Sequence, residues 1–157
     1  MAFTGKDAKY FVPDADECQI QPAGIDLRLD SVYRFKNNGI LGINNRDLPN
    51  VEELIPSNEY FNLAKGEYKI RFFDIVSIPD NAIGLCLPRS SLLRMGATLN
   101  CALWDPGYKG RGEALLLVSN NYGIKIQRLA RIAQMYFIEL KSKPSFLYNG
   151  IYNNENI

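Results

Sequence analysis

Residues 103–118 read LWDPGYKGRGEALLLV, and this stretch carries the pattern that decides the fold. The Asp105-Pro-Gly segment is a strong turn former, because proline fixes φ and glycine accepts conformations that other residues avoid. The run Ala114–Val118 that follows is apolar and has the length of a buried strand. A turn followed by a short strand, when it recurs along a chain, is typical of an all-β protein.

The same alternation extends in both directions from this stretch. Between turn signals rich in Gly, Pro and Asn lie short runs with the composition of strands, at residues 68–73, 83–87 and 132–140. Only Ser90–Met95 is predicted to be helical, with Ser90 or Ser91 as its cap and Gly96 at its end. The pattern predicts an antiparallel barrel or sandwich with one short helix.

Length and composition predict one soluble domain over residues 1–157. The chain is long enough to bury a sizeable core, and its hydrophobic fraction of 46% is ordinary for a globular protein. Residues 37–56 are predicted to be a long loop or insertion, and residues 144–157 an exposed C-terminal arm. The formal net charge of +1 argues against nucleic acid as a partner, and no apolar run is long enough for a membrane span.

The chain has no histidine, which narrows the possible chemistry. Catalytic triads and dyads that need an imidazole, and zinc sites built on histidine, are excluded. The three cysteines, Cys18, Cys86 and Cys101, are odd in number and form no CxxC pair. They predict reduced thiols in a cytoplasmic protein.

Two segments carry charged side chains that could belong to a binding site. Asp26 follows a Pro-Ala-Gly turn, where its carboxylate either satisfies turn amides or lies near a metal ion or an arginine. The segment from Arg89 to Arg94 combines two guanidinium groups with the hydroxyls of Ser90 and Ser91 where a loop enters the helix. Converging donors of this kind suit phosphate, although a capped helix with solvated arginines has the same sequence.

A third segment places a carboxylate beside an aromatic ring. Asp105 precedes Tyr108 by three residues, so the ring could cover a nucleoside while the carboxylate holds a water molecule. The same residues are also explained by the turn alone. A fourth segment begins at Arg131 and contains Gln134, which by itself predicts no function.

In chain order, these segments resemble the dUTPase and dCTP deaminase superfamily. The resemblance runs from about Ile20 to Leu140. It rests on QPAGIDLRL at residues 21–29, LAKGEY at 63–68, IPD at 78–80, RSSLLRMG at 89–96, DPGYKG at 105–110 and RIAQ at 131–134. It implies a distorted, jelly-roll-like β-barrel, a homotrimer with active sites at subunit interfaces, and a deoxynucleoside triphosphate substrate held with Mg²⁺.

The resemblance also assigns roles to individual residues. Asp105 would orient and deprotonate the attacking water, and Tyr108 would pack on the deoxyribose and exclude a 2′-hydroxyl. Arg89, Ser90, Ser91, Arg94 and Gln134 would bind the phosphates, with Asp26 near the metal-bound waters. Asn100, in the segment ahead of Asp105, is a candidate contact to the base.

The QPAGIDLRL, KGEY and RSSLLR segments resemble the deaminase-like branch of the superfamily, and the predicted reaction depends on one missing carboxylate. The deaminases use a glutamate in the strand after the Asp-Pro-Gly turn, and both ways of counting reach a leucine here, Leu115 or Leu117. Only Glu113, at the start of that strand, offers a carboxylate. The leading prediction is therefore a Mg²⁺-dependent dUTP diphosphatase of the deaminase-like branch. The alternatives are a dCTP deaminase or bifunctional enzyme, and a catalytically weak relative that binds nucleotide or a protein partner.

Overall fold

Strands dominate the computed structural model, which describes all of residues 1–157. Two short helices are present, α1 (Gly5–Ala8) and α2 (Ser90–Arg94), with 3₁₀ turns at Lys9–Phe11 and Glu17–Gln19. The strands are β1 (Ile20–Gln21), β2 (Gly24–Phe35), β3 (Ile40–Leu41), β4 (Arg46–Asp47), β5 (Val51–Glu53), β6 (Tyr60–Leu63), β7 (Gly66–Phe72), β8 (Val76–Ser77), β9 (Ala82–Pro88), β10 (Ala97–Asn100), β11 (Lys109–Gly110), β12 (Glu113–Val118), β13 (Ile124–Gln127) and β14 (Arg131–Glu139).

The main sheet nearly closes on itself. Its strand order is β10-β12-β7-β2-β14-β9, and every pairing along this path is antiparallel. Beyond β10 the chain returns to the other edge, where Trp104 forms an isolated bridge with Gly84 of β9. The predicted all-β, barrel-like fold is confirmed, and the barrel brings the 104–108 turn beside β9.

Side chains alternate between core and surface along the barrel strands, as a pleated sheet requires. On β12, Ala114, Leu116 and Val118 are buried, whereas the alternate residues are partly exposed. Phe72 of β7 and Phe137 of β14 are the largest fully buried side chains. This inner face of the barrel is the hydrophobic core that fixes the register of the strands.

The predicted helix forms as α2, but its cap differs from the prediction. Arg89 occupies the N-cap position without a side-chain capping bond, so the prediction that Ser90 or Ser91 caps the helix is wrong. Both serines lie exposed in the first turn. Gly96 follows the helix with φ of +79°, a conformation that glycine adopts without strain. The sequence did not indicate α1, which is capped by Thr4.

The C-terminal arm folds back on its own chain. The Tyr148 N–H donates to the Pro106 carbonyl, the Asn154 N–H to Lys109, and the Arg111 N–H to the Glu155 carbonyl. The arm thereby runs along the 105–111 turn. No helix in the structure is long and apolar enough to cross a membrane.

Candidate active site

Asp26 is the buried centre of a charge cluster between β2, β9 and β14. Its side chain is 1% exposed, and its Oδ2 lies 3.1 Å from Arg89 Nε and 3.3 Å from Arg131 Nη1. Neither carboxylate oxygen has a partner with hydrogen-bond geometry. Burial raises the pKa of Asp26 above its ordinary value, and the two guanidinium groups oppose that rise. Asp26 therefore has accepting capacity that the chain itself does not fill.

Strand pairing and a buried glutamine hold the backbone around Asp26. Gln134 lies directly opposite Asp26 in the β14–β2 pairing and is partly exposed. Gln19 is fully buried, and its Nε2 donates to the Asp26 carbonyl at 2.7 Å. Arg131 also donates to the Cys18 carbonyl. These contacts fix the backbone on both sides of the cluster.

Helix α2 begins beside this cluster, since Arg89 both caps the helix and pairs with Asp26. Ser90, Ser91 and Arg94 are exposed on the helix and make no side-chain hydrogen bond or ion pair. The structure therefore leaves two hydroxyls and one guanidinium free for a ligand near the Arg89 end of β9.

A cavity of about 260 Å³ opens at the 104–108 turn. Asp105, exposed, and Tyr108, whose residue is 7% exposed, both line it. The other lining residues come from four separate segments and are Leu48, Ala102, Leu103, Trp104, Gly112, Glu113, Tyr148, Tyr152 and Glu155. The carboxylate and the ring that the sequence paired thus share one cavity.

Tyr108 is held from three sides. Its ring packs edge-on against Trp104 at 5.0 Å between centroids and lies 5.9 Å from the ring of Tyr148. Its hydroxyl donates to Glu155 Oε1 at 2.8 Å. Burial, followed by the hydrogen bond to Glu155, raises the pKa of Tyr108 well above its ordinary value, so the hydroxyl keeps its proton.

Strand β12, which follows the Asp-Pro-Gly turn, carries one carboxylate. Leu115 and Leu117 share the partly exposed face of β12 with Glu113. Glu113 lines the cavity and pairs with Lys69 Nζ at 2.9 Å. Asn100 is exposed at the end of β10, opposite Leu115. The two leucines leave Glu113 as the only acidic side chain of this strand.

The charge cluster and the cavity lie toward opposite ends of β9. Trp104 bridges Gly84, and Asp105 follows it, whereas Arg89 lies five residues further along the line of β9. At about 3.3 Å per residue, that separation is about 16 Å along the strand. The structure therefore does not bring Asp105 and Arg89 into one contact set within a chain.

A family model described as dCTP deaminase-like matches residues 5–140. This chain belongs to that family. The match spans the cluster around Asp26, helix α2, the Asp105 cavity and strand β14, so the predicted superfamily membership is confirmed. It ends before the C-terminal arm.

Two relatives in the family are similar over most of their length. A protein named deoxyuridine 5′-triphosphate nucleotidohydrolase from Methanocaldococcus jannaschii is 42% identical over 156 residues, covering 97% of this chain and 98% of that one. A probable enzyme of the same name from Aeropyrum pernix is 41% identical over 138 residues, covering 88% of this chain and 87% of that one.

The family fold is also recognisable in a solved structure. The crystal structure of 2′-deoxycytidine 5′-triphosphate deaminase from Agrobacterium tumefaciens superposes with a TM-score of 0.69 at 20% identity. The match covers 87% of this chain and 47% of that one, so this chain spans about half of it. At this identity the likeness is one of fold alone.

Several residues that the structure places in these two regions were missing from the predicted site. Arg131 stands at the head of a segment that the sequence analysis singled out, and its spacing from Gln134 was the available signal. Gln19 and Glu155 carry no motif, whereas Tyr148 and Tyr152 belong to a YNGIY run that faintly resembles the tail of the deaminases. Only tertiary contacts bring them to Asp26 or to the cavity.

Proposed function

We propose that this protein hydrolyses dUTP to dUMP and diphosphate by attack of water on the α-phosphorus. The observation that carries the proposal is the cavity shared by an exposed carboxylate, Asp105, and a fixed ring, Tyr108. The nucleotidohydrolase names of relatives that are 41% and 42% identical support the same substrate.

Asp105 is the base in this mechanism. Its carboxylate holds the attacking water by hydrogen bonding and accepts the proton as the bond from oxygen to phosphorus forms. Tyr108 packs on the deoxyribose, where its fixed ring leaves no space for a 2′-hydroxyl. Asn100 and its neighbours in the segment after β10 face the base.

The charge cluster binds the triphosphate. Arg89 offers a guanidinium that already lies at the start of α2, and Ser90, Ser91 and Arg94 add free donors there. Gln134 donates from β14. Charge-assisted hydrogen bonds to phosphate oxygens stabilise the negative charge that moves to the leaving diphosphate.

The donor set around Asp26 fits Mg²⁺ held mostly by substrate and water. No group of three or more acidic or cysteine side chains could form a cage for a metal ion. Asp26 has two carboxylate oxygens without hydrogen-bond donors, and these can accept from metal-bound water. When bound with the triphosphate, Mg²⁺ would neutralise phosphate charge in the transition state.

A complete site requires a second copy of the chain. Gly84, which bridges the residue before Asp105, lies about 16 Å from Arg89 along the line of β9, yet Asp105 and Arg89 must both reach the same triphosphate. In a homotrimer, the 105–108 turn of one subunit can face the Arg89 cluster of the next, which gives three equivalent interface sites. The free thiols of Cys18, Cys86 and Cys101 are compatible with the cytoplasmic location that we propose.

The deciding assay measures two products from two substrates. The protein is incubated with dUTP or dCTP and Mg²⁺, and diphosphate and ammonia are quantified. Diphosphate from dUTP without ammonia from dCTP supports hydrolysis. Nucleotide binding without either product would instead identify a catalytically weak relative.

Deamination of dCTP is the second candidate, and one observation favours it. Glu113 lines the same cavity as Asp105 and could serve as the proton carrier that Leu115 and Leu117 cannot. Its ion pair with Lys69 opposes this role, because the carboxylate is already engaged by that ammonium group. Ammonia from dCTP that disappears in Glu113→Gln would establish the deaminase activity.

A further inference from the structure

The C-terminal arm contacts the ring that the proposed mechanism places against the sugar. Glu155 accepts the Tyr108 hydroxyl at 2.8 Å, and its backbone forms a parallel bridge with Gly110. Tyr148, near the start of the arm, packs on the same ring. The arm of a chain is therefore part of the wall of that chain's own Asp105 cavity.

The hydrogen bond from Tyr108 to Glu155 restricts the movements of the Tyr108 ring that packing alone allows. Trp104 and Tyr148 hold the ring by apolar contact, which allows small tilts and shifts. A hydroxyl bonded to a carboxylate at the far end of the ring fixes its direction as well. Backbone bonds of Asn154 and Arg111 in turn fix Glu155.

We propose that Glu155 is a positioning residue for Tyr108, and that the docked arm thereby sets the discrimination against ribonucleotides. The sugar selectivity rests on the proposed dUTP hydrolysis, whereas the docking does not. A ring held in place rejects a 2′-hydroxyl by collision, and a ring that can tilt makes room for it. The loss of a single hydrogen bond is expected to change the ratio of kcat/KM for UTP to kcat/KM for dUTP about threefold to tenfold.

Glu155→Ala and Glu155→Gln separate the hydrogen bond from the bulk of the side chain. The alanine variant removes the acceptor and leaves the backbone anchors of the arm in place. The glutamine variant keeps an acceptor oxygen of the same reach. Glu67, an exposed glutamate on β7, provides the matched control Glu67→Gln.

Trp104 reports docking without any substrate, because it is the only tryptophan and packs directly on Tyr108. At the acid end of the pH range, where Glu155 is protonated, we expect a red shift of its emission in Glu155→Ala, and the wild-type spectrum in Glu155→Gln and Glu67→Gln. We also expect kcat/KM for UTP relative to dUTP to rise about threefold to tenfold in Glu155→Ala alone. Tyr108→Phe should give the same rise, and adding Glu155→Ala to it should give no more.

An alanine variant with an unchanged UTP to dUTP ratio overturns the inference, as does an effect that persists in full on the Tyr108→Phe background. A wild-type protein without dUTP hydrolysis overturns the proposed function and the selectivity together. In that case the emission of the same variants still decides whether the hydrogen bond docks the arm, because that measurement needs no nucleotide.

Discussion

Trp104 and Gly84 exchange two backbone hydrogen bonds, of 2.9 and 3.1 Å, between the segment after β10 and strand β9. This pairing joins the two edges of the sheet and determines where Asp105 lies. Because Arg89 follows the far end of β9, the carboxylate proposed to hold water and the arginine proposed to bind phosphate would serve different sites if they belong to the same chain.

Mixing two inactive variants should restore activity if the site is shared between subunits. Asp105→Asn lacks the base, and Arg89→Ala lacks the phosphate ligand. In randomly mixed trimers, about one quarter of the sites receive both wild-type residues. We expect about one quarter of wild-type diphosphate release after the two variants are denatured and refolded together. Refolding each variant alone is the control, and no recovery in the mixture would contradict shared sites.

Asp105→Asn should reduce turnover while the nucleotide still binds. The amide keeps the shape of the carboxylate but cannot accept the proton, so kcat should fall by about 10²-fold or more. Binding of dUTP should stay within several-fold. Asp80→Asn, in another exposed turn, is the matched control. A near-normal kcat in Asp105→Asn would show that another group activates the water.

Tyr108→Ala should admit UTP as a substrate. Removal of the ring opens the space in which a 2′-hydroxyl would collide, so kcat/KM for UTP should rise relative to that for dUTP. The measurement is diphosphate release from each nucleotide. Tyr122→Phe, at a fully exposed tyrosine, is the control. Unchanged rejection of UTP would refute the role of the ring.

Docking of the arm should weaken as pH rises. Burial and the neighbouring Glu113 raise the pKa of Glu155, while Tyr108 and Lys69 oppose the rise. The docked arm therefore holds a proton more tightly than the free arm, whose glutamate has an ordinary pKa of 4.5. The stabilisation of the docked arm by protonated Glu155 is complete below pH 4.5, the ordinary pKa of a glutamate. It declines as pH rises through the higher pKa of Glu155 in the docked arm.

Emission of Trp104 between pH 4 and pH 8 measures this dependence. Besides Glu113, Lys69 and Tyr108, the ionisable groups at the cavity are Asp105, Tyr148 and Tyr152. We expect a red shift with rising pH in the wild type and a flat profile in Glu155→Gln. A glutamine variant that keeps the wild-type profile would assign the titration to another group.

Arg28→Ala should destabilise the fold strongly. Arg28 Nη2 lies 2.6 Å from the carboxylate of Asp74, which is fully buried. Loss of a buried partner leaves an uncompensated charge, at a cost of about 3–5 kcal/mol. Lys36→Ala, which breaks an exposed pair with Glu52, should cost about 0–1 kcal/mol. Urea unfolding of both variants gives the comparison, and equal midpoints would contradict the expected difference.

Local signals in the sequence were sufficient to predict four of the barrel strands and helix α2, but not α1 or the short strands β3, β4 and β5 inside the predicted loop at residues 37–56. Turn residues and short apolar runs are local signals, so β7, β9, β12 and β14 formed close to the predicted bounds. The motifs that resemble the family also predicted Asp26, Arg89, Asp105, Tyr108 and Gln134 as site residues.

Only the tertiary structure decided which of these residues are neighbours. The closure of the barrel at Trp104 separates Asp105 from Arg89, and the folding back of the arm places Glu155 on Tyr108. Both results depend on contacts between residues far apart in the chain. Because such contacts arise from packing of the whole sheet, no short stretch of sequence encodes them.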